Sequence, residues 1–230
     1  MTRKIFFLIK NKSKGIVILI YLLNKFKNIF FKKKIIEFKK NNKKFLIKKK
    51  ISNDFFSMNS YSFYEQLSKL KKNFNYLEIG SYEGNSAMFI AKNFPESEVL
   101  CVDNWLSTED YHGQDFNIVE NNFDQNIKEF KNIIKIKNNS DNFFLENNTN
   151  FDAIYVDGYH KDNQVLRDCE NSWKILNKEG IMICDDYFWN FYEKIQNNPC
   201  FAINEFLNKI NGEYKILKVT NSQIFIKKLK

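Results

Sequence analysis

Two adjacent carboxylates, Asp185 and Asp186, follow the apolar run GIMIC at 180–184. A strand tip has no structural need for two like charges, which repel one another, so a compensating partner is expected. Asp157 closes a second apolar run, FDAIYV at 151–156. If the two runs are neighbouring parallel strands, about 4.8 Å apart, their terminal carboxylates converge. A hard divalent cation with oxygen ligands would neutralise Asp157, Asp185 and Asp186, and Mg²⁺ is the first choice. His160, three residues after Asp157, is suitably placed to take a proton, since an unperturbed imidazole titrates near pH ~6.5. A plainer reading gives His160 a hydrogen bond to Asp157 or a part in binding substrate. Asp186 likewise has a plainer reading, as a side chain capping the turn that follows. Tyr187 and Trp189 either wall an acceptor site or pack inward.

A second chemical signal is LEIGSYEGNSA at 77–87. It reads as a strand turning sharply into a helix whose free N–H groups face a ligand. Gly80 and Gly84 permit close approach of backbone to backbone or ligand. Glu78 stands where a carboxylate can reach an amine. Asp103 ends the next apolar run, where a carboxylate can accept both hydroxyls of a ribose. Trp105 is positioned either to cover an adenine ring or to pack under a loop. The spacing is Gly-x-x-x-Gly, not Gly-x-Gly-x-x-Gly, which counts against a nicotinamide dinucleotide.

These residues require elements to carry them. Apolar runs at 75–80, 98–103, 133–137, 151–157 and 180–185 read as strands. They alternate with helical periodicity at 62–70, 85–94, 116–130 and 163–176. A helix at 201–210 and two strands at 214–219 and 223–228, close enough to pair antiparallel, complete the chain. The pattern predicts an α/β fold: a doubly wound, seven-stranded, mostly parallel sheet. Such sheets bind ligands beyond the carboxyl ends of their strands. Gly80, Gly84 and Gly158, both histidines (His112 and His160) and the acids Asp103, Asp157, Asp185 and Asp186 all fall on that edge. The polar stretch 106–116, with Asp110 and His112, suits a lid over the acceptor.

Four motifs in this order, LEIGSYEGNSA, VLCVDNW, FDAIYVDGYH and GIMICDDYFW, resemble the class I S-adenosylmethionine-dependent methyltransferases. Among these they are most similar to the macrocin-type and related sugar O-methyltransferases. The resemblance runs from about Asn75 to the C-terminus. It implies a Rossmann-like fold with Glu78 and Gly80 near the methionine portion of S-adenosyl-L-methionine. It implies that Asp103 holds the ribose and that the loop Asn139–Ser140–Asp141 lies near the adenine. Ser81, Tyr82, Gly84, Ser86, Asn104, Trp105 and Asp157 complete the implied cofactor set, with Tyr82 standing where the family's loop has its second glycine. An acidic cluster of Asp157, Asp185 and Asp186 would hold a metal, and His160 with Asp157 would serve catalysis. The implied reaction is methylation of a hydroxyl on a sugar, glycan or other small molecule. Two alternatives stand beside it. One is a metal-independent methyltransferase with His160 as base; the other is a non-catalytic membrane-surface protein of the same fold.

Charge divides the chain. Residues 1–50 hold 17 Lys/Arg and one acid, Glu37, for a net +16, whereas residues 51–230 hold 19 basic and 26 acidic residues, for −7. The overall +9 therefore describes an extension, about residues 1–55, attached to a domain at 56–230. An acidic domain without an Asn-Pro-Pro-aromatic motif argues against nucleic acid as substrate. The run GIVILIYLL at 15–23 is shorter than the ~20 residues a bilayer span needs. No small-residue cleavage site follows it, which argues against a secretory signal. The extension reads as a basic amphipathic arm for peripheral membrane contact, or as a solvated, partly helical tail. Cys101, Cys169, Cys184 and Cys200 lack metal or disulfide spacing and suit reduced thiols in the cytoplasm. The sequence carries no reading of oligomeric state.

Overall fold

A computed structural model of the chain describes residues 2–109 and 113–230. Seven strands form one sheet: β1 (Asn75–Ile79), β2 (Glu98–Asp103), β3 (Ile133–Lys137), β4 (Phe151–Val156), β5 (Leu176–Cys184), β6 (Tyr214–Val219) and β7 (Ile224–Lys228). Their spatial order is β3-β2-β1-β4-β5-β7-β6. The first five run parallel; β7 is antiparallel to both β5 and β6. The chain winds outward from β1 through β2 to β3, then returns to lay β4 and β5 on the other side. The order therefore reverses between β1 and β4, and their carboxyl ends open a crevice.

Alternation along the strands splits the core in two. Leu77, Ile79, Ile154, Met182 and Ile226 face one layer; Tyr76, Val99, Ala153, Tyr155, Ile183 and Phe225 face the other. The helices α4 (Ser60–Leu67), α5 (Asn85–Asn93) and α6 (Phe116–Ile127) bring Phe63, Phe89 and Phe123 to the second layer. The helices α7 (Ser140–Glu146), α8 (Asp162–Ile175) and α9 (Pro199–Lys209) bring Phe143, Trp173 and Phe206 to the first. Each such side chain, fully buried, contributes roughly 1.5–3 kcal/mol of transfer free energy.

The N-terminal fifty residues are not a solvated tail. They form α1 (Thr2–Lys10), α2 (Gly15–Phe30) and α3 (Lys32–Leu46), and these dock on the sheet's layers. Leu8, Val17 and Tyr21 belong to the first core; Leu46, with Phe38 against it, belongs to the second. Polar contacts fix the same seam. Asn204 donates to Asn11 O at 2.9 Å and to Ser13 Oγ at 3.0 Å, and Lys14 Nζ donates to Leu207 O at 3.0 Å. A lysine-rich composition conceals this docking, because long cationic side chains leave one helix face free to bury apolar residues. Among the described residues no helix is long and apolar enough to cross a membrane.

Two elements depart from the sequence-based expectation. Helix α7 is seven residues long, started by the Asn139 side chain accepting from Asn142 N, and buries only Phe143. Strand β5 starts at Leu176, which pairs with Phe151 before a register shift, and the polar residues Asn177 to Glu179 that follow hid this start in the sequence.

Candidate active site

Strand β1 ends in a turn that only a few backbone conformations allow. Gly80 has φ +86°, and a Cβ there would lie 2.0 Å from the carbonyl oxygen of Asp157. The missing side chain thus lets the tips of β1 and β4 touch. Gly84, φ +79°, precedes α5, and Tyr82 between them is also left-handed at +47°. The free N–H groups of this loop converge on one carboxylate. Asp103 accepts from Ser81 N at 2.9 Å, Tyr82 N at 3.0 Å and Trp105 N at 2.8 Å. Burial raises its pKa, and these backbone donors oppose the rise.

Around this loop lies a cavity of about 210 Å³. Gly80, Tyr82, Asp103 and Asn104 form one wall, and Asn138, Asn139, Ser140 and Asp141 a second. Asp157, Gly158, Tyr159, Gln164 and Asp168 close it towards β4 and α8, while Leu106, Thr108 and Phe116 cover it from the loop after β2. Asp110 and His112, expected in that loop, lie outside the described residues.

Glu78 sits just behind the cavity wall and is fully buried. Its Oε2 accepts from Tyr76 at 3.1 Å, while its Oε1 and the Ser81 hydroxyl have no hydrogen-bond partner. Burial pushes its pKa up to about 7, against the Ser86, Ser81 and Tyr76 hydroxyls that favour the charged form. An unpaired acceptor in such a place is costly unless a donor arrives. A ligand amine beside the β1 tip would supply one. The cavity, the orphaned Glu78 oxygen and the Asp103 cradle therefore fit a nucleoside that carries an amino-acid arm, such as S-adenosylmethionine.

Trp105 does not join this cavity. It is buried beneath the loop, 4.9 Å from the Phe123 ring, and donates to Tyr82 O at 2.9 Å, with Lys135 Nζ 4.5 Å from its own ring. The expected cover for an adenine is thus a packing residue, held inward by a left-handed backbone at φ +49°. Gly84 and Ser86 also serve from behind. A Cβ on Gly84 would meet Phe123 at 3.0 Å, and Ser86 is buried near Glu78.

On the other side of Asp157 the acids divide differently from expectation. Asp157, His160 and Asp186 each offer a ligand atom, all within 4.8 Å of one another. His160 Nε2 lies 2.8 Å from Asp186 Oδ2, and its ring packs 4.7 Å from Trp189. Asp185 adjoins this group but is held by other partners. Its Oδ2 accepts from Tyr155 and, at 2.6 Å, from Gln223 Nε2; its Oδ1 accepts Asp186 N at 2.7 Å. Both acids lie just past β5, where the backbone of Asp186 is left-handed at φ +54°. Of the expected set Asp157, Asp185 and Asp186, the first and third share a potential cation site with His160, and Asp185 is taken up by Tyr155 and Gln223. Tyr187 is buried too, and is no acceptor wall.

Tyr155 ties the two acids together. Its hydroxyl lies 2.7 Å from Asp157 Oδ2 and also contacts Asp185. A phenol has one proton, so it donates to only one of the two carboxyls at a time. Burial, then the charges of Asp185 and Asp186, hold Asp157 well above the ordinary carboxylate range. Burial and Asp186 push Asp185 up to about 7. A cation among these groups would reverse that pressure. Two carboxylates and an imidazole suit a divalent metal, and the nitrogen donor widens the choice beyond Mg²⁺ to Mn²⁺ and its neighbours.

Asp168, absent from the sequence reading, is buried on α8 beside Asp157 and accepts from Gln164 at 3.0 Å; burial raises its pKa to about 6. Its signal was available. Val165, Cys169, Ser172 and Trp173 form the buried face of α8, and a carboxylate at 168 falls on that face.

Residues 77–187 match a family model described as a methyltransferase domain. The solved structures that resemble the chain share its fold at low identity. An O-methyltransferase from Bacillus cereus, in complex with SAH, is 13% identical with a TM-score of 0.56, covering 93% of this chain and 100% of its own. An rRNA methylase from Streptococcus thermophilus is 14% identical with a TM-score of 0.54, covering 79% and 100%. MycE, a methyltransferase of the mycinamycin biosynthetic pathway solved with Mg, SAH and mycinamycin VI, is 14% identical with a TM-score of 0.56, covering 77% of this chain and 51% of its own. No curated protein matches the chain.

Proposed function

The chain carries an S-adenosylmethionine-dependent methyltransferase domain, and from that premise we propose that it methylates a hydroxyl oxygen of a small molecule or glycan with the help of a divalent metal. The observation that carries this reading is the shared position of Asp157, which belongs both to the cofactor cavity and to the cation cluster. When bound, S-adenosylmethionine supplies an electrophilic methyl on a sulfonium, and a divalent cation lowers the pKa of a hydroxyl beside it. Glu78 pairs with the cofactor's amino group through its unpartnered oxygen. Asp103 and Asn104 orient the ribose, and Asn139 and Ser140 border the base. Asp157, His160 and Asp186 hold the cation at the acceptor's edge of the cavity. Tyr155 and Gln223 fix Asp185, which in turn holds the backbone of Asp186.

MycE, solved with Mg, SAH and mycinamycin VI, supports the metal-assisted small-molecule reading. Residues 51–230, which hold every residue of the cavity, are net −7, and this disfavours an RNA acceptor, although two structural neighbours carry rRNA methylase names. We further propose a cytoplasmic enzyme with peripheral membrane contact through the first fifty residues and a catalytic unit from about residue 56.

A second reading has its own observation. The 2.8 Å pair of His160 and Asp186 also suits a base oriented by a carboxylate, without a metal. Transfer of a labelled methyl group to a panel of glycosides, phenols and an rRNA fragment separates these readings. Methylated hydroxyls, with a rate lowered at least ~100-fold by EDTA and restored by Mg²⁺ or Mn²⁺, support the metal reading. Full activity in EDTA selects the His160–Asp186 base. Methylation of RNA alone overturns both.

A further inference from the structure

Helix α2 has two apolar faces, and the fold uses one. Val17 and Tyr21 are buried in the core, and Asn24 donates to Val219 O at 3.4 Å. The opposite side carries Ile16, Leu19, Leu23, Phe26 and Phe30, each between 49% and 71% exposed. Their spacing of three and four residues lines them along a single stripe some 20 Å long. Phe6 and Ile9 on α1 and Ile36 on α3 are exposed as well. Contiguous apolar surface of this kind marks a docking site.

The charges around the stripe say what docks. Lys32, Lys33 and Lys34 stand exposed directly after α2, and the first fifty residues hold one acid against 17 bases. A second copy of the chain would bring two such surfaces together and add repulsion. A nucleic acid would meet the lysines and leave the apolar stripe in water. An anionic bilayer satisfies both, taking the stripe into its interface and the lysines among its headgroups.

We propose that the outer face of α2, with the lysines that follow it, seats this protein in the plane of an anionic lipid surface. This deepens the peripheral contact named above by assigning it a face and a lipid chemistry. It also reaches the active site. Phe188 is held between Phe7 at 5.5 Å and Tyr21 at 5.4 Å, with Lys4 Nζ 4.5 Å from its ring. Tyr187 contacts Ser13 at 3.1 Å. These two residues join Asp186 to Trp189, the residues that flank His160. The stripe lies on the other side of α2 from Tyr21, so docking leaves this buttress in place and fixes the rim of the acceptor site relative to the bilayer.

Co-sedimentation of the full chain with vesicles tests the assignment. One set is phosphatidylcholine alone, the other contains 30% phosphatidylglycerol on the scale of ~30 mol%. Binding to the anionic set at least ~10-fold tighter than to the neutral set is expected. The exposed triple variant Leu19→Gln, Leu23→Gln, Phe26→Gln, and separately Lys32→Glu, Lys33→Glu, Lys34→Glu, should each weaken it ~10-fold or more while leaving the unfolding midpoint unchanged. No binding to anionic vesicles, or binding indifferent to both variants, overturns the proposal. So does a wild-type dimer in sedimentation equilibrium that the glutamine variant converts to a monomer. Titration of S-adenosylhomocysteine into the same samples keeps the two readings apart: cofactor binding without vesicle binding removes only the docking surface.

Discussion

The two halves of the crevice are organised by opposite means. On the cofactor side, backbone does the holding: three N–H groups of the 81–105 region converge on Asp103, and left-handed residues at 80, 82, 84 and 105 fix the loops. On the cation side, side chains of like charge are pressed together, and their proton affinities rise in response. The first half is complete as the chain folds. The second favours protonated carboxyls, which a bound cation would displace. Preorganisation by backbone and strain relieved by a ligand are thus adjacent, sharing Asp157.

The comparison breaks most severely at Gly80. Replacing it with Ala would force a carbon 2.0 Å from the Asp157 oxygen in a conformation that L residues avoid, separating β1 from β4. Soluble protein should be lost, or S-adenosylhomocysteine affinity should fall beyond ~100-fold. Gly212→Ala is the control: φ is +84° there but space is open, so it should cost only ~1 kcal/mol in thermal unfolding.

A more selective cut is Asp186→Asn, which keeps a residue tolerant of φ +54°. Mn²⁺ affinity, read by electron paramagnetic resonance, should drop at least ~10-fold, with S-adenosylhomocysteine binding unchanged. Equal losses of both would mean that the halves are not separable.

The buried acids make a further difference measurable. Glu78 titrates near about 7 and Asp168 near about 6 in the fold, both above their unfolded values. Between about pH 4 and pH 7 the folded state therefore holds more protons than the unfolded one. Stability contributed by the protonated forms is full at low pH and is lost as pH rises through the folded pKa values. Denaturant unfolding of the free protein should show a fall on the order of a few kcal/mol from pH 5 to pH 7.5, and Glu78→Gln should flatten it. A rise over that interval would contradict the buried-acid picture.

The smallest effect belongs to Trp105→Phe. Losing the Phe123 contact and the hydrogen bond to Tyr82 should cost about 1–3 kcal/mol of stability. S-adenosylhomocysteine affinity should change less than ~3-fold, since the indole does not line the cavity. A large affinity loss would restore Trp105 to the adenine.

Much of the frame was legible in the sequence because its central strands are short continuous apolar runs closed by aspartate, as at 98–103 and 151–157. Helix α7 was hidden because seven residues with one buried Phe give no periodicity to read. The glycine turn and Asp103 were legible because few residue types can perform their parts. The division of labour between Asp185 and Asp186 was not, since it depends on which side of β5 meets Tyr155 and Gln223, residues 30 and 38 positions from Asp185. The docking of α1 and α2 was obscured by lysines that say nothing about the buried stripe beneath them.

The most direct test of a crevice that is ready for its cofactor before any metal arrives is calorimetric titration of S-adenosylhomocysteine into the full chain, once in EDTA and once in Mg²⁺. One-to-one binding in both solutions is the predicted result. No heat in either, or binding that appears only with the cation, would contradict it.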